Sequence, residues 1–81
     1  MSPAIRGAVY RHYKGGRYTV IALAERHTHN GDADVVYVSL EKGHIVTRPL
    51  RCDSRDEDSW TDVIEWPDGV TRSRFVLETE L

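Results

Sequence analysis

Polar and apolar residues alternate in short runs along most of this chain, the period-two signature of β-strands. The clearest run is Val35-Val36-Tyr37-Val38-Ser39-Leu40, which sets Val36, Val38 and Leu40 on one face and Val35, Tyr37 and Ser39 on the other. Such β-branched and aromatic residues suit a pleated surface. Upstream, Tyr10-Arg11-His12-Tyr13-Lys14 and Arg17-Tyr18-Thr19-Val20 flank Gly15-Gly16 and predict a tight hairpin, because glycine accepts φ > 0 without strain. A two-residue turn there sets Tyr13 opposite Tyr18, His12 opposite Thr19, Arg11 opposite Val20 and Tyr10 opposite Ile21. One face then carries Ala8, Tyr10, His12, Thr19, Ile21 and Leu23, and the other Val9, Arg11, Tyr13, Tyr18, Val20 and Ala22. Neither face is cleanly polar, which fits a sheet that curls around a core and is covered on part of its outside.

The polar stretch from His27 to Asp34 contains Asn30-Gly31 and is expected to be a loop. After a turn at Glu41-Lys42-Gly43-His44, residues 45–48 form a fourth strand, which Pro49 ends or places at an edge, since proline has no N–H for a ladder. Ser54-Arg55-Asp56-Glu57 meets the requirements of a capping box and allows one helical turn. Alternation resumes from Trp60 to Trp66, with Trp60, Ile64 and Trp66 on one side. Trp66-Pro67-Asp68-Gly69-Val70 is a turn, and the final strand runs from Arg72 to Leu77. The prediction is an all-β chain: a small SH3-like barrel or roll of five to six short strands, with an OB-like barrel as the rival.

Length makes this one domain over residues 1–81, with room for a single modest core. The hydrophobic content of 40% with 30% charged residues is that of a folding chain. Cys52 is alone, so there is no internal disulfide, which fits a reducing compartment. With no signal-peptide core and no apolar run of membrane-spanning length, a cytoplasmic location is expected. The net charge of −2 divides into +3 over residues 1–50 and −5 over residues 51–81. Asp53, Asp56, Glu57 and Asp58 account for much of the second figure and are expected in a solvated loop. A chain so balanced gains little from non-specific attraction to phosphate, which disfavours nucleic acid as a partner.

Candidate chemistry gathers on the first 48 residues. His12, Tyr13, Lys14, Tyr18, His27 and Arg48 could form a cationic and aromatic rim: arginine offers a planar fork, lysine a mobile charge and tyrosine a stacking face. Lys14 and Arg17, flanking the predicted turn, would be a like-charged pair relieved by solvent or by an anion. His27-x-His29 lacks the thiolate-rich partners of a structural zinc site, so no metal is expected, and no motif calls for a cofactor. No nucleophile or proton-relay motif is recognisable either, so catalysis is not expected. Of Trp60, Trp66 and Phe75, two should be core and the third an anchor candidate for a partner protein.

His12-Tyr13-Lys14-Gly15, preceded by Gly7, Tyr10 and Arg11 and followed by Tyr18 and Val20, is one element of a wider resemblance. Ala24, His27, Val35-Val36-Tyr37, Gly43, Arg48-Pro49-Leu50, Trp60, Asp68-Gly69 and Arg74-Phe75 continue it. From about Gly7 to Phe75 the chain resembles domain-of-unknown-function family 1653, which implies a small SH3-type barrel without an established activity. Two features depart from that pattern. The segment from Arg51 to Ser59 is longer and more acidic, and Val46 stands where family members often carry tryptophan. The expected function is that of a non-enzymatic binding or accessory module whose rim takes a partner protein or a small anionic ligand. Nucleotide processing at the same rim and nucleic-acid binding are the alternatives, and open strand edges permit a homodimer.

Overall fold

A computed structural model describes residues 4–25, 33–51 and 59–81. These residues form seven strands: β1 (Val9–His12), β2 (Arg17–Glu25), β3 (Ala33–Ser39), β4 (Ile45–Pro49), β5 (Val63–Glu65), β6 (Thr71–Ser73) and β7 (Phe75–Leu77). A 3-10 turn at Glu78–Glu80 follows. The fold is all-β. Strands β4-β3-β2-β1-β7 make one antiparallel sheet and β5-β6 a second.

The third strand alternates as predicted, with Val35, Tyr37 and Ser39 buried, although it begins at Ala33, inside the stretch expected to be loop. Strand β4 lies at the sheet edge with Pro49 as its last residue, where the missing N–H costs no ladder bond. The expected turn at 66–70 is closed by Gly69 N–H donating to the Trp66 carbonyl and Trp66 N–H to that of Val70. The capping-box segment, Cys52 and the acid cluster lie outside the described residues, as do His27 and His29.

Two expectations are corrected. The hairpin is not a two-residue turn: His12 N–H donates to the Gly16 carbonyl and Gly15 N–H to the His12 carbonyl, leaving Tyr13, Lys14 and Gly15 as a three-residue loop. Of the two hairpin glycines Gly15, and not Gly16, takes a positive φ, +104°, the left-handed position that a three-residue loop needs. The register becomes Val9↔Thr19, Tyr10↔Tyr18 and Arg11↔Arg17. That displacement by an odd number of residues turns β2 over relative to β1. Tyr10 and Val20 now share the buried side, while Arg11 and Arg17 share the other. The second correction concerns the last strand, which breaks at Arg74. There the backbone changes sheets: Arg74 N–H donates to the Asp62 carbonyl, and its own carbonyl accepts from Tyr13 N–H. Residues 71–73 pair with β5 and residues 75–77 with β1.

The segment at residues 59–62 curls the main sheet. Trp60 and Thr61 donate backbone N–H groups to the Pro49 and Leu50 carbonyls at the end of β4, and Asp62 reaches Arg74 beside β1. Ser59 Oγ donates to Asp62 Oδ1 at 2.7 Å, and Arg74 Nε to the Ser59 carbonyl at 3.2 Å, which pins this short bridge. Trp60 thereby points into the core, 1% exposed, and stacks on Phe75 with ring centroids 3.8 Å apart and planes 3° from parallel. Tyr10 and Tyr37 meet the Trp60 ring edge-on, each at 5.1 Å. The Tyr10 hydroxyl accepts the Ile5 N–H at 2.8 Å, tying residues 4–8 over one end of the core.

Trp60→Ala removes the central plate of this cluster. A loss of about 3–5 kcal/mol is expected, most of what a domain of this size holds. Urea unfolding followed by tyrosine fluorescence should find Trp60→Ala largely unfolded at room temperature, whereas Trp66→Ala should retain a cooperative transition.

Candidate functional site

One end of the inner sheet face is built by alternate residues of four strands. His12 closes β1, Tyr18 is the second residue of β2, Ser39 closes β3 opposite Tyr18, and Val46 on β4 lies opposite Tyr37. Above them is a cleft of about 470 Å³. Its floor is His12, Tyr18 and Ser39; Lys14 and Gly16 form the hairpin wall, and Glu41, Lys42, His44 and Val46 the opposite wall.

The floor is aromatic and its surroundings are cationic. The His12 ring lies 4.6 Å from Tyr13 and 4.8 Å from Phe75, and Tyr18 packs edge-on against both Tyr37 and Phe75. Arg48 places its guanidinium 5.6 Å from the centre of the Phe75 ring and donates from Nε to the Tyr37 hydroxyl at 3.1 Å. Arg74 approaches the Tyr13 ring at 5.7 Å and keeps Asp62 as its carboxylate, 3.6 Å away. Burial first, then the charges of Arg48, Arg74 and Lys14, push the half-buried His12 imidazole down to about 4. Its Nδ1 accepts the Lys14 backbone N–H at 3.2 Å, so the neutral ring carries its proton on Nε2.

Of the residues singled out from the sequence, His12, Lys14 and Tyr18 line this cleft, and Arg48, which is not in its lining, lies 5.6 Å from the Phe75 ring that His12 packs against. Tyr13 points to the other side of the hairpin tip. With Lys14, Glu65, Trp66 and Pro67 it borders a second, shallower groove of about 510 Å³. Trp66 is the aromatic left over from the core, since Trp60 and Phe75 are both buried. Its indole N–H donates to the Ser73 carbonyl at 2.9 Å, and Arg72, held by both oxygens of Asp68, lies 5.3 Å from its ring. Among the described residues no three His, Cys, Asp or Glu side chains gather as a metal site would require. No described helix is long and apolar enough to cross a membrane.

The charge argument about Lys14 and Arg17 does not hold. Arg17 stands opposite Arg11, not beside Lys14, and Glu78 serves both arginines: it accepts from Arg17 at 2.8 and 2.9 Å and from Arg11 at 3.3 Å. Like charges directly across a ladder repel, and here a carboxylate of the same chain relieves them. Arg74 and the Glu41-Lys42 wall escaped the sequence reading. Arg74 reaches the site only because the backbone changes sheets there, and Glu41 and Lys42 read as ordinary turn residues.

Gly16 shapes the floor. A Cβ at this position would lie 2.9 Å from Tyr18 Cε1 and 3.0 Å from its hydroxyl oxygen, so only a hydrogen leaves room for the phenol. Gly16 has no positive φ, so alanine suits its backbone. Gly16→Ala is therefore expected to cost about 1 kcal/mol, overpacking partly offset by reduced unfolded-state entropy. Denaturant titration should show the cost vanishing in a Tyr18→Ala background.

His12 also gives stability a pH dependence. Its value in the folded chain lies below the ordinary 6.5, so between the two values the unfolded chain binds more protons. The contribution is complete above about pH 6.5 and is lost as pH falls toward 4. Thermal melts across that window should show a steeper decline for the parent protein than for His12→Gln.

Residues 8–77 match the family described as "Protein of unknown function (DUF1653)". A crystal structure of a protein of that family from Bordetella bronchiseptica is similar to this one, with a TM-score of 0.65 and 29% identity over 94% of this chain and 90% of that one. Among curated proteins none matches the sequence.

Proposed function

The chain belongs to the DUF1653 family, and from the cleft we propose that it is a non-enzymatic binding or accessory module, a cytoplasmic domain of SH3-like build. Its rim takes a small anionic ligand or an acidic group of a partner protein. The observation that carries this reading is the placing of His12, Lys14 and Tyr18 along one cleft, with the Arg48 guanidinium 5.6 Å from the Phe75 ring that His12 packs against. Arg48 orients the acidic group and Lys14 adds long-range attraction. Tyr18 offers apolar surface to a planar part of the ligand, whereas Tyr13, named with it from the sequence, borders the second groove. His27 belongs to the rim proposed from the sequence.

Two features weigh against the alternatives. A histidine held near 4 is a weak base at neutral pH, which favours binding over proton transfer. A chain of net charge −2 with a confined cationic site suits one anionic group better than a phosphate backbone.

Titration of ¹⁵N-labelled protein with AMP, with a short acidic peptide and with a single-stranded oligonucleotide tests the reading. AMP or the peptide should shift the amides of residues 12–18 and of Arg48. Arg48→Ala should weaken binding about tenfold, the scale of one charge-assisted hydrogen bond, and Lys14→Ala should weaken it less. Affinities untouched by both substitutions would refute the rim. Turnover of AMP would favour the enzyme alternative, and oligonucleotide binding that falls steeply with salt would favour nucleic acid.

A further inference from the structure

We propose that His12 contacts the bound ligand through Nε2, and that the ligand's oxyanion docks together with a proton that the His12 imidazole takes up. The inference rests on reading the cleft as an anion site, and adds to it a named contact and a pH dependence.

The geometry leaves His12 little choice of role. Its ring is held between Tyr13 and Phe75, and it forms part of the cleft floor. Nδ1 is engaged by the Lys14 amide, so Nε2–H is the donor that the neutral ring can offer. The groups around it are mainly cationic. Lys14 comes from the hairpin loop, Arg48 from β4 and Arg74 from the residue before β7. The other neighbours do not reverse that balance. Tyr18 and Tyr37 present aromatic rings, and Asp62 is engaged by Ser59 as well as by Arg74. On the β3–β4 turn, Glu41 accepts the Arg17 backbone N–H, beside Lys42 and His44.

Burial first, and then three cations, keep the ring neutral; an oxyanion accepting the Nε2–H would place negative charge within a few ångströms of the ring and offset the cationic part. A proton from solvent then adds to Nδ1. The new N–H cannot face the Lys14 N–H, so that amide is released to solvent, which it can reach at the exposed hairpin tip. His12 thus binds its proton more tightly in the complex than in the free protein. By reciprocity, the anion binds more tightly as pH falls between the two values, by up to tenfold per pH unit.

Sulfate is a suitable probe because its charge stays constant over the range. In titrations from about pH 8 to about pH 3, at ionic strength held constant with sodium chloride, the His12 ¹³Cε1 shift reports protonation directly. Saturating sulfate should raise the His12 midpoint by at least about one pH unit, and the Lys14 amide should move with it. On a His44→Gln background, which removes the other imidazole of the cleft, the slope of affinity against pH should persist while His12 is present and vanish in His12→Gln. Saturable shifts at Lys14 and Arg48 with the His12 midpoint unmoved would overturn the inference and leave the cleft reading standing. Shifts reproduced by sodium chloride alone, or no saturable shift in the cleft, would also overturn it, and the AMP and peptide titrations would then decide the cleft reading separately. An acetate arm distinguishes a carboxylate source from a tetrahedral one.

Discussion

The parallel stack of Trp60 on Phe75, 3.8 Å apart, is the contact on which the rest of the molecule depends. A chain of 81 residues can build only a small core, and this one builds it from rings. Tyr10, Tyr37 and Trp60 form one edge-to-face set, and Tyr18 and Tyr37 meet Phe75 in another. Trp60 belongs to no strand. It is delivered by the bridge at residues 59–62, whose backbone joins the end of β4 to Arg74. The stack that fills the interior is therefore also what holds the two ends of the curled sheet together.

The same ring sets up the cleft. Phe75 carries Trp60 on its face, His12 at 4.8 Å and the Arg48 guanidinium at 5.6 Å. Core and site share one wall, so His12 and Arg48 are positioned by packing against the same ring. Charge is partitioned across the sheet to match. On the outer side Glu78 holds Arg11 and Arg17 as hydrogen-bonded partners. On the inner side Arg48 is anchored to a phenol and Arg74 to the 59–62 bridge, while the imidazole between them stays neutral. A neutral ring lowers repulsion among these cations, so burial and electrostatics push His12 the same way.

What could be read from the sequence follows from the range of the forces involved. Alternation marked the faces of β3, and the missing N–H of Pro49 called for the end of β4 or an edge position, because both are local properties; Pro49 is the last residue of an edge strand. The turn at 66–70 was legible for the same reason. The break at Arg74 was not, since Arg72 to Leu77 alternates like one strand and only distant partners, Asp62 and Tyr13, divide it. Glu78 as the relief for Arg11 and Arg17 was equally out of reach, being more than sixty positions away. Of the side chains singled out by residue type, His12, Lys14 and Tyr18 line the cleft, whereas Arg74 comes near His12 only through the folded backbone.

The hairpin shows how a small local choice governs both levels. Gly15-Gly16 admits a two-residue turn or a three-residue loop with similar ease, and local preference does not separate them strongly. Burial separates them. The two-residue register would set Tyr10 beside Ile21 and leave Tyr18 and Val20 on the face opposite Tyr10. The three-residue loop aligns Tyr10 with Tyr18 and brings Val20 inside, where it is 1% exposed. It also frees Gly16 from any need for positive φ and gives it another task, leaving the space that the Tyr18 phenol occupies. With Tyr18 lying beneath Gly16, the hairpin becomes a wall and the phenol a floor. The register that completes the core is thus the one that creates the cleft.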